Sequence, residues 1–276
     1  MAIYDTVNGV YRKVTKKYDP VDGVYRNVTK AYDPVDGVYR QYFIGGVPVE
    51  TLAVGDSVWT DVNGVLTEFL VVHKGRPTTS NGYAGYYDTS CDGIWLLMKD
   101  IYENGVWGDG DSRNDYNKSP IHAYLNEDFL GLFDSNIQSK IKDVKIPYYA
   151  GVQYGSGKSY SGANGLDTKI FLLSAVELGL TSNELSYIPT NGACLDYFAD
   201  AYQYGTSNLR IAYYNGIASS WWLRSPDTIY NGRSVYVSSS GSGGRQTYSI
   251  TCGIRPAFIL DGSTLIDQST GINIIV

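Results

Sequence analysis

Trp221-Trp222-Leu223-Arg224-Ser225-Pro226 is the densest apolar and aromatic cluster in the chain, and Gly253-Ile254-Arg255-Pro256-Ala257-Phe258-Ile259-Leu260 follows about thirty residues later. A guanidinium withdrawn from water is costly unless carboxylate or carbonyl oxygens accept its donors. The tryptophans with Arg224 therefore predict a core wall holding a structural arginine, with ligand contact as the alternative. From Ser219 onward, alternating residues and glycine turns dominate, which predicts strands and loops.

Upstream the pattern is mixed. Thr51 to Val58 and Thr67 to His73 read as strands, with Asn63-Gly64 as a hairpin turn, and Gly93 to Met98 as a buried strand or short helix. Ser119-Pro120, followed by Ile121, Tyr124, Leu125 and Phe129, supplies an N-cap, a first-turn proline and helical apolar spacing. Asp134 to Ile141, Ser174 to Leu178 (after a strand Lys169 to Leu173) and Ala193 to Tyr202 are further short helix candidates. Helices in the middle with strands at both ends predict an α+β domain over residues 46–276.

Residues 1–45 are organised differently. Tyr4, Tyr18 and Tyr32 each open a fourteen-residue unit: YDTVNGVYRKVTKK, YDPVDGVYRNVTKA and YDPVDGVYRQYFIG. Each unit places a turn dipeptide (Asn8-Gly9, Asp22-Gly23, Asp36-Gly37) before strand-prone Val-Tyr-Arg, so short hairpins are expected. Such a hairpin cannot hide an apolar face alone, which makes association the expectation, most simply a homotrimer; a solvated linker is the alternative. The boundary near Gly45-Gly46 is also electrostatic. Seven basic residues face five acidic ones before it, and 15 face 23 after it.

A net charge of −6 provides no basic surface for nucleic acid. No apolar run approaches the roughly 20 residues that span a bilayer, and Met1 to Arg12 lacks a basic region followed by an apolar stretch. Neither membrane insertion nor a signal peptide is expected, so the chain would be made in the cytoplasm. Cys91, Cys194 and Cys252 are odd in number and form no C-x-x-C pair, so free thiols are expected.

The catalytic and metal-binding motifs are weak. Gly155-Ser156-Gly157-Lys158-Ser159 ends like a phosphate-binding loop but has Val152 where the first glycine belongs. Asp109-x-Asp111 opens like a calcium loop, yet Arg113, Asn114 and Pro120 occupy its fifth, sixth and twelfth positions. His73 and His122 are the only imidazoles, and Glu177 with Asp167 is a carboxylate pair fixed by no spacing. The expectation is a non-enzyme with no cofactor and no metal; a glycan-processing enzyme and a structural decoration protein without a ligand are the alternatives.

WWLRSP and GIRPAF, preceded by SPIHAYLNEDF and TKIFLLSAVE, resemble a family of C-type-lectin-like (formylglycine-generating-enzyme-like) domains of gut bacteria and their phages. Some of its members are variable proteins of diversity-generating retroelements. The N-terminal repeat resembles elements of tail-associated proteins of phages infecting Gram-positive bacteria. Together the resemblances imply a phage or prophage tail or fibre receptor-binding protein of the virion. Its partners would be other virion proteins and a host cell-surface protein or glycan. In that reading the segment between the two motifs displays the binding residues. Mutagenesis at adenines of AAC-type codons cannot produce Lys, Glu, Gln, Met or Trp, and residues 227–252 contain only Gln246 of these, where average composition supplies about five. An ordinary Gly-Ser-rich hairpin is the alternative. The lectin calcium motifs E-P-N and Q-P-D are absent, so metal-dependent sugar binding is not implied.

In Ser234-Val235-Tyr236-Val237-Ser238, inward valines would turn Ser234, Tyr236 and Ser238 outward. The expected ligand surface is a shallow, exposed, metal-free patch of Asp227, Thr228, Tyr230, Asn231, Arg233, Tyr236, Ser238, Ser240, Arg245 and Tyr248.

Overall fold

Ile94–Met98 is apolar and buried at every position, the pattern of a strand covered on both faces. It lies inside an eight-stranded sheet. From one edge the order is Ile170–Phe171, Ala257–Leu260, Ile94–Met98, Val65–Lys74, Ser57–Val62, Ile274–Ile275, Leu265–Asp267 and Val47–Pro48. A five-stranded sheet follows the order Glu103–Gly105, Cys252–Ile254, Trp221–Pro226, Arg233–Val237 and Gly243–Thr247. This computed structural model describes residues 46–110, 114–151, 157–182, 185–190, 192–203 (backbone alone from 201) and 207–276, and the backbone of six strands between 4 and 44.

The two sequence motifs have distinct architectural parts. WWLRSP is the middle strand of the small sheet. GIRPAF passes from one sheet to the other: Cys252–Ile254 pairs with Glu103–Gly105, and Ala257–Leu260 pairs with Ile94–Met98. Arg255 secures this crossover, donating from Nε to Met98 O (2.8 Å) and from Nη2 to Lys99 O (2.8 Å) beneath the Trp221 ring. Phe258 belongs to an aromatic group with Phe69 and Phe133 in the core, at ring separations of 5.0 and 5.7 Å.

The expected α+β, C-type-lectin-like class is corrected by this architecture. Strand residues make up 36% and helical residues 20%, so the fold is mainly β and sandwich-like. The physical reason lies in the length of the helical segments. Ser119 caps a helix whose α-helical part ends at Tyr124; it widens to a π turn over Leu125–Phe129 and tightens to 3-10 over Leu130–Leu132. Ser135–Lys140 is α-helical, capped by Asp134. Val176–Leu178 and Asp196–Gln203 are 3-10 only. Apolar spacing at such lengths reports burial against the sheets more than helical propagation.

In the front segment Tyr4–Val7 pairs with Val10–Lys13, Lys17–Val21 with Val24–Val28, and Lys30–Val35 with Val38–Ile44, each as a separate antiparallel pair. The turn dipeptides Asn8-Gly9, Asp22-Gly23 and Asp36-Gly37 lie outside the described residues, as do Asp111, Arg113, Val152, Gly155 and Ser156. Cys91, Cys194 and Cys252 are free. Among the described residues no helix is long and apolar enough to cross a membrane.

Candidate functional site

The Trp221–Pro226 strand is buried throughout, and its indole and guanidine donors are all engaged. Trp221 Nε1 donates to Arg210 O (2.9 Å) and Trp222 Nε1 to Gly105 O (3.0 Å). Arg224 forms a fork on Glu177, with Nη1 2.5 Å from Oε2 and Nη2 donating to Oε1, while Nε reaches Pro147 O at 3.0 Å. Glu177 is fully buried and also accepts from Tyr87 Oη (3.0 Å) and Ser174 N (2.8 Å). Burial opposes the charge on Arg224, and the facing carboxylate overcomes that opposition, raising its pKa. The sequence-based expectation of a structural guanidinium thus has its acceptors.

Immediately after this strand the chain turns outward around Asp227, which is completely buried. Its Oδ1 accepts from Ile229 N (2.7 Å) and Tyr230 N (3.0 Å), an Asx-type turn, and its Oδ2 lies 3.1 Å from Arg245 Nη1. The expected display role of Asp227 is therefore corrected: it is the pivot beneath the loop. Ser234, expected to point outward, is also fully buried, because both faces of this sheet are covered there. Asn114, buried in the left-handed region (φ 50°), donates from Nδ2 to Asp227 O, Tyr230 O and Arg233 O at 3.0–3.1 Å.

Above these supports lies a ladder of rings and guanidiniums. The Arg245 guanidinium carbon is 4.4 Å from the Tyr187 ring centre and 5.0 Å from that of Tyr230, and the Arg233 guanidinium carbon is 4.9 Å from Tyr230. Such pairs are attractive and fix side-chain orientation. Tyr230, Asn231, Arg233 and Ser240 are exposed, while Thr228, Tyr236, Ser238, Arg245 and Tyr248 are half-buried. Thr228 and Tyr248 are held by their main chains, Thr228 N to Tyr187 O (2.8 Å) and Tyr248 N to Gly232 O (3.2 Å).

Strand register divides the expected patch. Arg233 pairs with Thr247, Val235 with Arg245 and Tyr236 with Gly244. Paired residues share a sheet face and successive residues alternate. Arg233 and Arg245 therefore leave one face, while Tyr236 leaves the other, edge-on to Trp222 at 6.3 Å. Ser238, Ser240 and Ser242 form a separate hydroxyl chain at 2.9 and 3.2 Å. Tyr187 and Asn114 belong to the site but escaped the sequence reading; Asn114 carried only the left-handed tolerance of asparagine as a signal.

The other titratable candidates lie apart. Asp167 is exposed near Lys145 (3.7 Å), and Glu177 is committed to Arg224, so the two carboxylates do not form a site. His73 Nδ1 is 2.9 Å from Asp196 Oδ2, and burial lowers the His73 pKa. Burial also lowers the His122 pKa, to about 4. Burial raises the thiols, Cys91 to about 12 and both Cys194 and Cys252 to about 11. Among the described residues no cluster of three or more His, Cys, Asp or Glu side chains could hold a metal ion.

Residues 92–262 match the family described as "Domain of unknown function (DUF6273)", and the chain belongs to that family. The match contains Asn114, Glu177, both motifs and the Tyr–Arg ladder. No curated protein and no solved structure matches.

Proposed function

We propose that the protein is a receptor-binding component of a phage or prophage tail or fibre. In this reading residues 1–45 serve assembly and the Tyr187–Tyr230–Arg233–Arg245 face engages the host surface. One observation carries the reading. Tyr230, Asn231 and Arg233 expose their side chains from a loop whose carbonyls are gripped by buried Asn114 and whose amides are gripped by buried Asp227. Pre-ordered aromatic and arginine side chains lose little conformational freedom on binding and dominate contact energy at interfaces. The near-absence of Lys, Glu, Gln, Met and Trp from residues 227–252 agrees with a diversified binding segment.

The test is cell binding by the fluorescently labelled full chain across a panel of Gram-positive gut bacteria. Replacing Tyr230, Asn231 and Arg233 together by serine should abolish binding to any strain the native chain labels and leave the thermal midpoint within a few degrees. Undiminished labelling by the triple variant would refute the assignment of this face. Light scattering of the full chain should give a trimer, and a monomer would remove the assembly role of the repeats.

A further inference from the structure

Arg233 is exposed and makes no ion pair among the described residues, and its only charged neighbour on the Tyr230 ring is a second arginine. Arg245 is half-neutralised by contrast, being 3.1 Å from the buried Asp227 carboxylate. Among the described residues the ladder therefore carries two cations against one anion, and the anion lies at its base, away from solvent. In a chain of net charge −6 this is a local reversal of sign. Guanidiniums present paired donors that match carboxylate and phosphate oxygens. The Tyr230 ring orients Arg233 in advance, so little rotamer freedom is lost when an anion arrives.

The surroundings narrow the class. Thr247, opposite Arg233 in the strand register and on its face of the sheet, and the exposed Asn231 two residues before it offer hydroxyl and amide groups beside the guanidinium. Three clefts among the described residues, of about 420, 510 and 550 Å³, are lined by other residues, including Trp59, Leu180 and Lys74 respectively. A small apolar ligand needs an enclosing pocket, and none of these three clefts opens at the ladder. A saccharide, in contrast, binds through many shallow polar contacts.

Building on the receptor-binding reading, we infer that the ladder recognises a hydroxyl-rich acidic polymer, a uronate saccharide or a polyol phosphate, through its carboxylate or phosphate group, with Arg233 as the primary anion contact and Arg245 as the cation that positions Tyr230. The experiment uses immobilised full-length protein and four soluble probes: polygalacturonate, a poly(glycerol phosphate), neutral dextran and poly-glutamate. Binding is expected for polygalacturonate or for poly(glycerol phosphate), and which of them binds identifies the anion source. Affinity should fall about tenfold in Arg233→Gln, recover in part in Arg233→Lys, and weaken as salt is raised from about 50 to about 300 mM.

Dextran binding as tightly as the acidic polymers would overturn the inference, as would a preference for poly-glutamate or an unchanged affinity in Arg233→Gln. No binding of any probe by a chain that labels cells would also overturn it. The two proposals fail separately. If the triple serine variant loses cell binding while Arg233→Gln and added salt do not affect it, the receptor-binding face stands and anion recognition falls.

Discussion

Arg224 and Arg233 are nine residues apart in one small sheet, yet they occupy opposite physical regimes. Arg224 is fully enclosed and its charge exists because Glu177 faces it; Arg233 is solvated and rests on a tyrosine ring with no carboxylate partner among the described residues. Substitution of the first is expected to cost the domain several kcal/mol, and substitution of the second to stay within about 0.5 kcal/mol. The comparison teaches that the boundary between scaffold and display falls within Pro226–Asp227, where the chain leaves a fully buried strand and pivots on one buried carboxylate.

The largest effect that could break this comparison is on the scaffold side. Glu177→Gln leaves Arg224 charged, buried and short of its counter-ion, and should cost about 3–5 kcal/mol in urea unfolding. A loss below about 1 kcal/mol would mean that the carbonyls of Pro147 and Leu172 suffice. Trp222→Ala, which removes an enclosed ring and strands its acceptor Gly105 O, should cost a similar ~3–5 kcal/mol.

Asn114→Ala probes the boundary itself. It removes donors from three carbonyls, so we expect a loss of about 1–3 kcal/mol together with faster amide exchange confined to residues 227–233. Exchange that rises equally throughout the small sheet would show that Asn114 supports the whole domain.

A pH-dependent effect belongs to the scaffold. His122 packs edge-on to Tyr116, whose hydroxyl accepts from Leu172 N, and its folded pKa of about 4 lies below the ordinary 6.5. The unfolded chain therefore takes up the proton first. His122's effect on stability should be constant above pH 6.5, worsen as pH falls from 6.5 towards about 4, and level off below that. His122→Phe should flatten that part of the acid limb, and an unchanged slope would assign it to other groups, His73 among them.

The smallest effects are expected on display. Ser238→Ala should stay within about 0.5 kcal/mol, and Tyr230→Ala should cost about 1 kcal/mol or less for its two exposed cation–π contacts. Values matching Trp222→Ala would erase the distinction.

How much of this was legible depends on the range of the interaction. The buried state of Arg224 followed from local composition, because an arginine beside two tryptophans and a leucine must find acceptors wherever it folds. Its particular partner did not follow, since Glu177 is brought to it only by tertiary packing. The fold class was misjudged for the same reason: the segment at Asp196–Gln203 has helix-like spacing but forms 3-10 turns under the sheets, and the pairing of Glu103–Gly105 with Cys252–Ile254 spans most of the domain. In the candidate site, alternation placed Val235 and Val237 correctly in the core. It could not reveal that Ser234 is covered as well, nor that Asp227 spends both oxygens on holding a turn.

The contacts from Asn114 have an evolutionary consequence. Its amide holds the carbonyls of Asp227, Tyr230 and Arg233, and every amino acid brings the same carbonyl oxygen. Positions 230, 231 and 233 can therefore drift in side-chain identity while the clasp that shapes them stays intact. Selection for folding acts on Asn114, Asp227 and the strand before them. On the receptor-binding proposal, selection for recognition would act on the residues they hold, and a lineage could change the second without reopening the first.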